Sequence, residues 1–218
     1  MGSRIVRAVV PPPAASYPPE LRALGGGAKG RLVRLEPLSP AHVDALVAAA
    51  EGDAELFRWF PDDFAVPEIH RRMIDAALAA SAQGREVPFV IVARESGEVV
   101  GSTRFLELRL EHRRAEIGFT WVRRSVWGTG INVECKMILL GRAFAAGLRR
   151  VEFKTDARNE RSRGALLALG ATFEGILRKH MVVRDEGARD SAYYSVIDDE
   201  WAGVRAGLER RLAAHTAG

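Results

Sequence analysis

Cysteine is nearly absent from this sequence: Cys135 is the only one in 218 residues. A single thiol excludes an intramolecular disulfide framework and any multi-cysteine zinc or iron–sulfur site. Long apolar runs are missing too. The best stretch, residues 87–93, is far shorter than a bilayer span, and no signal peptide opens the chain, so a cytoplasmic protein is expected. Blocks of like charge are also lacking, since 32 Lys and Arg stand against 28 Asp and Glu, a net charge of +4. A pI of about 9.6 is the one feature that suggests nucleic-acid binding, and no basic stripe with interleaved aromatics supports it. The five histidines, His42, His70, His112, His180 and His215, have no metal-type spacing, so no metal site is expected.

What is present is enough apolar residue, 47% of the chain, to bury a core without staples. Residues 1–30 carry Pro11 to Pro13, Pro18, Pro19 and Gly25 to Gly27 without sustained periodicity, and read as a flexible or loosely docked extension. Lys29 is followed by Gly30 rather than Ser or Thr, which argues against a P-loop. Regular patterning starts at a strand over 31–36. Ser39 and Pro40 then open a helix, and an aromatic segment, 56–64, is readable either as core or as the wall of a cleft. A second helical pattern runs through Ile69, Met73, Ala77 and Ala80. Strands follow at 87–93, 99–108 and 115–122, with a turn at Glu95 to Glu98. Next comes a glycine-bearing loop, then a helix through Val133, Met137, Leu140 and Phe144, and a strand at 150–155. Asn159 caps a short helix that ends at Gly170, and a hairpin over 173–183 and 189–197 closes the pattern. The strand, helix, strand unit over 115–155 predicts one parallel, right-handed crossover in an otherwise antiparallel sheet. Residues 31–201 thus read as one mixed α/β domain with helices on both faces. Residues 202–218 read as a tail with a short helix and a frayed end.

The loop Arg123-Arg124-Ser125-Val126-Trp127-Gly128-Thr129-Gly130-Ile131 joins a strand to a helix start. Two glycines let main-chain N–H groups point outward, and the helix N-terminus adds unpaired donors, so the loop is suited to a diphosphate. A glycine turn that merely joins strand to helix would look the same. The flanking arginines favour the cradle, and the antiparallel strand before it disfavours a Rossmann site.

Four blocks extend this loop: Glu116-Ile117-Gly118-Phe119; Trp127 through Glu134; Phe153-Lys154-Thr155-Asp156-Ala157-Arg158-Asn159-Glu160-Arg161-Ser162; and Leu169 through Gly175. In this order and spacing the chain resembles the GCN5-related N-acetyltransferases (GNAT), nearest to the RimJ/RimL-like branch that acetylates N-termini of ribosomal proteins. The resemblance covers about residues 31–201. Ser125 departs from the Gln or Arg that often stands three residues before the first glycine. The resemblance implies a mostly antiparallel sheet splayed at a parallel strand pair and acetyl-CoA, or another acyl-CoA, as co-substrate. Main-chain amides at Val122 and Arg123 are then expected to take the pantetheine arm, and those of Trp127, Gly128, Thr129, Gly130 and Ile131 the pyrophosphate. Asn132 and Asn159 are counted with the cofactor contacts.

Amine acylation needs a neutral amine, a polarised carbonyl and a proton for the thiolate. Glu116 is the expected general base and Ser162 the expected acid, with an amide near Val122 as oxyanion donor. Glu116 is equally readable as an ion-pair partner of Arg104 or Arg114, and Ser162 as a residue of a solvent-facing turn. Cys135 reads as a small buried hydrophobe, and Lys136 as a residue of a solvated helix face. His180 and Tyr193 or Tyr194 are candidates for the acceptor cleft. Arg71, Arg72, Arg109, Arg113 and Arg114 hint at an acidic acceptor. The expected function is N-acyl transfer to a primary amine, of a protein N-terminus or a small molecule, by a possible homodimer. A catalytically silent acyl-CoA-binding module is the alternative.

Overall fold

A computed structural model describes residues 19–215. Eight strands form one sheet in the order β1-β2-β3-β4-β5-β6-β8-β7. They are β1 (Ala28–Lys29), β2 (Val33–Pro37), β3 (Val87–Ala93), β4 (Val99–Arg109), β5 (Arg114–Val122), β6 (Arg150–Asp156), β7 (Thr172–Val183) and β8 (Gly187–Ile197). Every neighbouring pair is antiparallel except β5 with β6. The helices are α1 (Pro19–Gly25), α2 (Val43–Ala50), α3 (Pro67–Ala82), α4 (Ile131–Ala145), α5 (Glu160–Leu169) and α6 (Trp201–Ala214). None of them is long and apolar enough to cross a membrane.

Alternation along the strands divides the core into two. Ile117, Val151, Phe153, Tyr194 and Val196 turn to one face and pack with Ile131, Cys135, Leu139 and Leu140 of α4 and with Val204 and Leu208 of α6. Val90, Val92 and Trp121 turn to the other, under Leu46 and Val47 of α2, Ile74 of α3 and the aromatics Phe57 and Phe64. Burial of Cys135 pushes its thiol up to about 12, so it packs as a hydrophobe.

Two devices open the sheet where a site can form. The parallel β5–β6 pairing stops after three residues, Arg114 to Glu116, although both strands run on. In the β4–β5 ladder, Phe119 and Thr120 stand opposite the single residue Thr103, and Phe119 takes φ +48°. This bulge bends β5 away from β6.

Two segments differ from expectation. Residues 1–18 of the predicted flexible extension lie outside the described residues. Residues 19–30 are docked: Leu24 is fully buried, and Arg142 donates to the carbonyls of Leu24, Gly26 and Gly27. The buried Glu134 carboxylate accepts the backbone N–H groups of Arg31, Leu32 and Val33, at 2.7, 2.6 and 2.8 Å. Composition reads as linker here because the partners lie more than a hundred residues away. At the other end, α6 is a full helix that buries Val204, Leu208 and Leu212. The predicted frayed end, 216–218, lies outside the described residues.

Candidate active site

A cleft of about 440 Å³ lies at the mouth between β5 and β6. One wall is the loop entering α4, a second is the start of α5, and the third is the aromatic segment at Trp59 and Phe60.

In the loop, Gly128 and Gly130 take φ +78° and +86°, a backbone region costly for residues with a side chain. A Cβ on Gly128 would meet nothing within 4 Å, so the loop faces open space there. Among the described residues, the amides of Gly128, Thr129 and Gly130 meet no backbone acceptor, and Ile131 begins α4, where amides have no intrahelical partner. Thr129 Oγ1 turns inward to the Val126 carbonyl at 2.8 Å. Two expected donors are spent internally. The Arg123 amide donates to Val100 O at 2.8 Å and the Trp127 amide to Arg124 O at 3.0 Å, because the strand ladder and a 3-10 turn claim them. The Trp127 indole donates to Val122 O at 2.8 Å and holds the loop against its strand. Arg123 and Arg124 are likewise taken, by Glu98 and by Asp53. Beside the loop, Arg161 lines the cleft, stacked 3.7 Å over the Trp127 ring with no ion pair among the described residues.

At the start of α5, Asn159 Oδ1 accepts the Ser162 amide at 3.0 Å, an N-cap. Its carbonyl oxygen is therefore occupied, and both residues line the cleft. Asn132, on the first turn of α4, also lines it, and its buried Oδ1 has no partner among the described residues.

Glu116 sits at the last parallel pair, 2% exposed. Its partner is neither Arg104, which pairs with Glu86, nor Arg114, which pairs with Glu152. Lys154 takes that place, with Nζ 2.9 Å from Oε2. Burial pushes the Glu116 carboxyl up from the ordinary carboxylate range, and Lys154 opposes that rise. A Cβ on Gly118 would come within 2.7 Å of Oε1, so a glycine there leaves room for the carboxylate.

Lys136, expected on a solvated face, is 7% exposed and lines the cleft. It follows Cys135 on the buried face of α4 and donates to Thr120 Oγ1 at 2.7 Å; Thr120 in turn meets Thr103 Oγ1 at 2.7 Å. Desolvation lowers its ammonium to about 8. The spacing to Leu140 and Ala143, four and seven residues on, could have signalled this. Arg161, which lies inside the third sequence block with no role read for it, and Arg189, which carries no local motif, were also missed.

The aromatic segment does both things expected of it: Phe57 and Phe64 are core, while Trp59 and Phe60 line the cleft. Tyr194 belongs to the core, with its hydroxyl accepting from Arg163. His180 and Tyr193 bond each other at 3.3 Å, and His180 Nδ1 meets Ser191 Oγ at 3.1 Å, but neither His180 nor Tyr193 lines the cleft. Of the arginines expected near the acceptor, Arg71, Arg109 and Arg114 are paired with Asp44, Glu107 and Glu152, and none of the five lines the cleft.

Comparison with known proteins agrees with this geometry. The family described as Acetyltransferase (GNAT) domain matches residues 32–172. The protein named uncharacterized N-acetyltransferase p20 of Bacillus licheniformis is 31% identical over 134 residues, 61% of this chain and 74% of its own length. A GCN5-related N-acetyltransferase from Brucella melitensis has 30% identity and a TM-score of 0.80, covering 88% of this chain and 89% of that one. Mycobacterium smegmatis RimJ, solved in complex with CoA-disulfide, has 27% identity and a TM-score of 0.69, covering 84% and 88%. The chain belongs to the GNAT acetyltransferases and carries their N-acetyltransferase domain.

Proposed function

We propose that this protein transfers an acetyl group from acetyl-CoA to a primary amine by direct attack. The observation that carries the reading is the coincidence of two openings: β5–β6 pairing ends at Glu116, and the loop at the end of β5 presents unpartnered amides to the same cleft.

The amides of Gly128 to Ile131 hold the pyrophosphate, and Arg161 adds positive charge beside them. Asn132 and the Asn159 amide group serve the pantetheine arm, in place of the occupied Arg123 amide. The thioester supplies an activated acyl carbon at the β5–β6 opening. Glu116, raised by burial, accepts the proton of the incoming ammonium group, directly or through a water. Ser162 returns a proton to the leaving thiolate, and the Val122 backbone stabilises the oxyanion. No covalent enzyme intermediate is needed, and Cys135 has no access to the chemistry.

The acceptor is the amine of a protein N-terminus or of a small molecule, in the cytoplasm. Phe173, Ile176 and Leu177, exposed on the edge strand β7, support a homodimer. The Lys154–Glu116 pair favours one second reading, a silent acyl-CoA-binding module in which that carboxylate is only structural.

Calorimetric titration with acetyl-CoA, CoA, succinyl-CoA and NADH tests the donor. Micromolar binding of the CoA ligands alone supports the proposal. Folded protein that binds no CoA ligand contradicts it. CoA binding without turnover across a broad panel of amines returns the silent module.

A further inference from the structure

Arg189 is a buried cation that the fold does not neutralise. It lies on β8, 6% exposed, and lines the cleft. Among the described residues no carboxylate stands within ion-pair distance of it, Nε meets no acceptor, and the one hydrogen bond of its guanidinium runs from Nη1 to Trp59 O at 3.3 Å. The nearby acid Asp156 is already engaged by Arg158, which bonds both of its oxygens at 2.9 Å. Desolvation accordingly lowers the Arg189 guanidinium, and the fields of Asp156 and Glu116 only partly offset this. A buried arginine without a counter-ion costs stability, so its persistence at a cleft wall needs a ligand to explain it.

Sheet register says which ligand it would meet. Phe153, Tyr194 and Val196 point to the α4 face, where the donor cradle lies. Glu116, Lys154 and Arg189 alternate to the opposite face, because Glu116 pairs with Glu152 and Lys154 with Tyr193, two steps along from Ser191 and four from Arg189. A donor on the α4 side therefore reaches its acyl carbon through the opening, and the acceptor meets it from the side of Glu116 and Arg189. Trp59 and Pro61 line the cleft on that side.

We propose that Arg189 is the anion receptor of the acceptor subsite, and that the acceptor is a primary amine carrying a carboxylate. The planar guanidinium matches a carboxylate with two parallel hydrogen bonds, and Glu116 then stands by the amine. This inference rests on the acetyl-transfer reading above.

The test uses acetyl-CoA-dependent thiol release with matched acceptors: amino acids, and the same amino acids as C-terminal amides. The acid is expected to exceed its amide in kcat/KM by about 100-fold, through KM. Arg189→Met should bring that ratio close to one, and Arg189→Lys should restore part of it. The thermal midpoint of Arg189→Met should equal or exceed that of the parent, since an unpaired buried charge is removed. Equal turnover of acids and amides, turnover confined to amides, or no turnover of any acid by protein that binds acetyl-CoA would overturn the proposal. A ratio unchanged in Arg189→Met would overturn it too. Should Arg189→Met fail to fold, the ratio in the parent and in Arg189→Lys decides. Failure to bind acetyl-CoA at all would instead strike the underlying transferase reading.

Discussion

Lys154 Nζ lies 2.9 Å from Oε2 of Glu116, and Lys154 stands two residues beyond the last parallel pair, Glu116 with Glu152, where β5 and β6 part. The lysine holds a carboxylate that burial alone would drive toward its neutral form, and so sets the pH at which Glu116 can act as a base. Glu116→Gln is expected to lower kcat about 100-fold or more, the usual scale for a general base, with acetyl-CoA affinity changed less than about threefold. Lys154→Met removes the lowering influence, so the acid limb of kcat/KM should move to higher pH. A limb that stays in place or moves lower would separate Glu116 from the titration.

Gly128 tests the cradle more cleanly than Gly130. A Cβ at Gly130 would crowd Leu32 Cδ1 at 2.9 Å and His215 Cδ2 at 3.2 Å, so its loss of function would be mixed with loss of packing. At Gly128 only the positive φ and the ligand side are affected. Gly128→Val should cost about 1–2 kcal/mol of stability for the left-handed backbone. It should also weaken acetyl-CoA by about tenfold or more in calorimetry, a loss of about 1.4 kcal/mol or greater.

His70 makes the fold acid-sensitive. It is fully buried, both ring nitrogens lack partners among the described residues, and it sits against Phe64, Phe57 and Trp121. Burial lowers it from 6.5 to about 4. Between those values the unfolded chain binds a proton that the folded chain refuses, so stability falls as pH drops from 6.5 to about 4. The contribution amounts to about 3 kcal/mol at the acid end. Denaturant unfolding of His70→Phe should show a flatter acid slope than the parent; parallel slopes would contradict this.

Lys136 has a linkage of the same sign in a more alkaline window. Its folded value of about 8 lies below the ordinary 10.5, so the unfolded chain holds the extra proton and stability from this group rises as pH climbs through that window. Lys136→Met should be more stable than the parent at pH 7 by about 2–3 kcal/mol, with the difference fading by pH 10.5. A variant less stable at pH 7 would show that the bond to Thr120 outweighs desolvation.

Local signals made the strands, the glycine loop and the Asn159 cap legible in the sequence, because each needs only its neighbours. Gly170, with φ +98°, ends α5 where a left-handed cap was read. Docking of residues 19–30 was not legible, since Glu134 and Arg142 reach them across more than a hundred residues. Lys154 could be paired with Glu116 only once the register of β5 on β6 was known. Arg189 became visible later still. Its place depends on β8 inserting between β6 and β7, and its burial on the segment at Trp59 folding over it.

The most direct measurement of the central claim is a crystal structure of the protein with acetyl-CoA. The account predicts the pyrophosphate on the amides of Gly128 to Ile131, Arg161 beside it, and the acyl carbon in the β5–β6 opening within reach of Glu116. Acetyl-CoA seated elsewhere, or a thioester that leaves the opening empty, would contradict it.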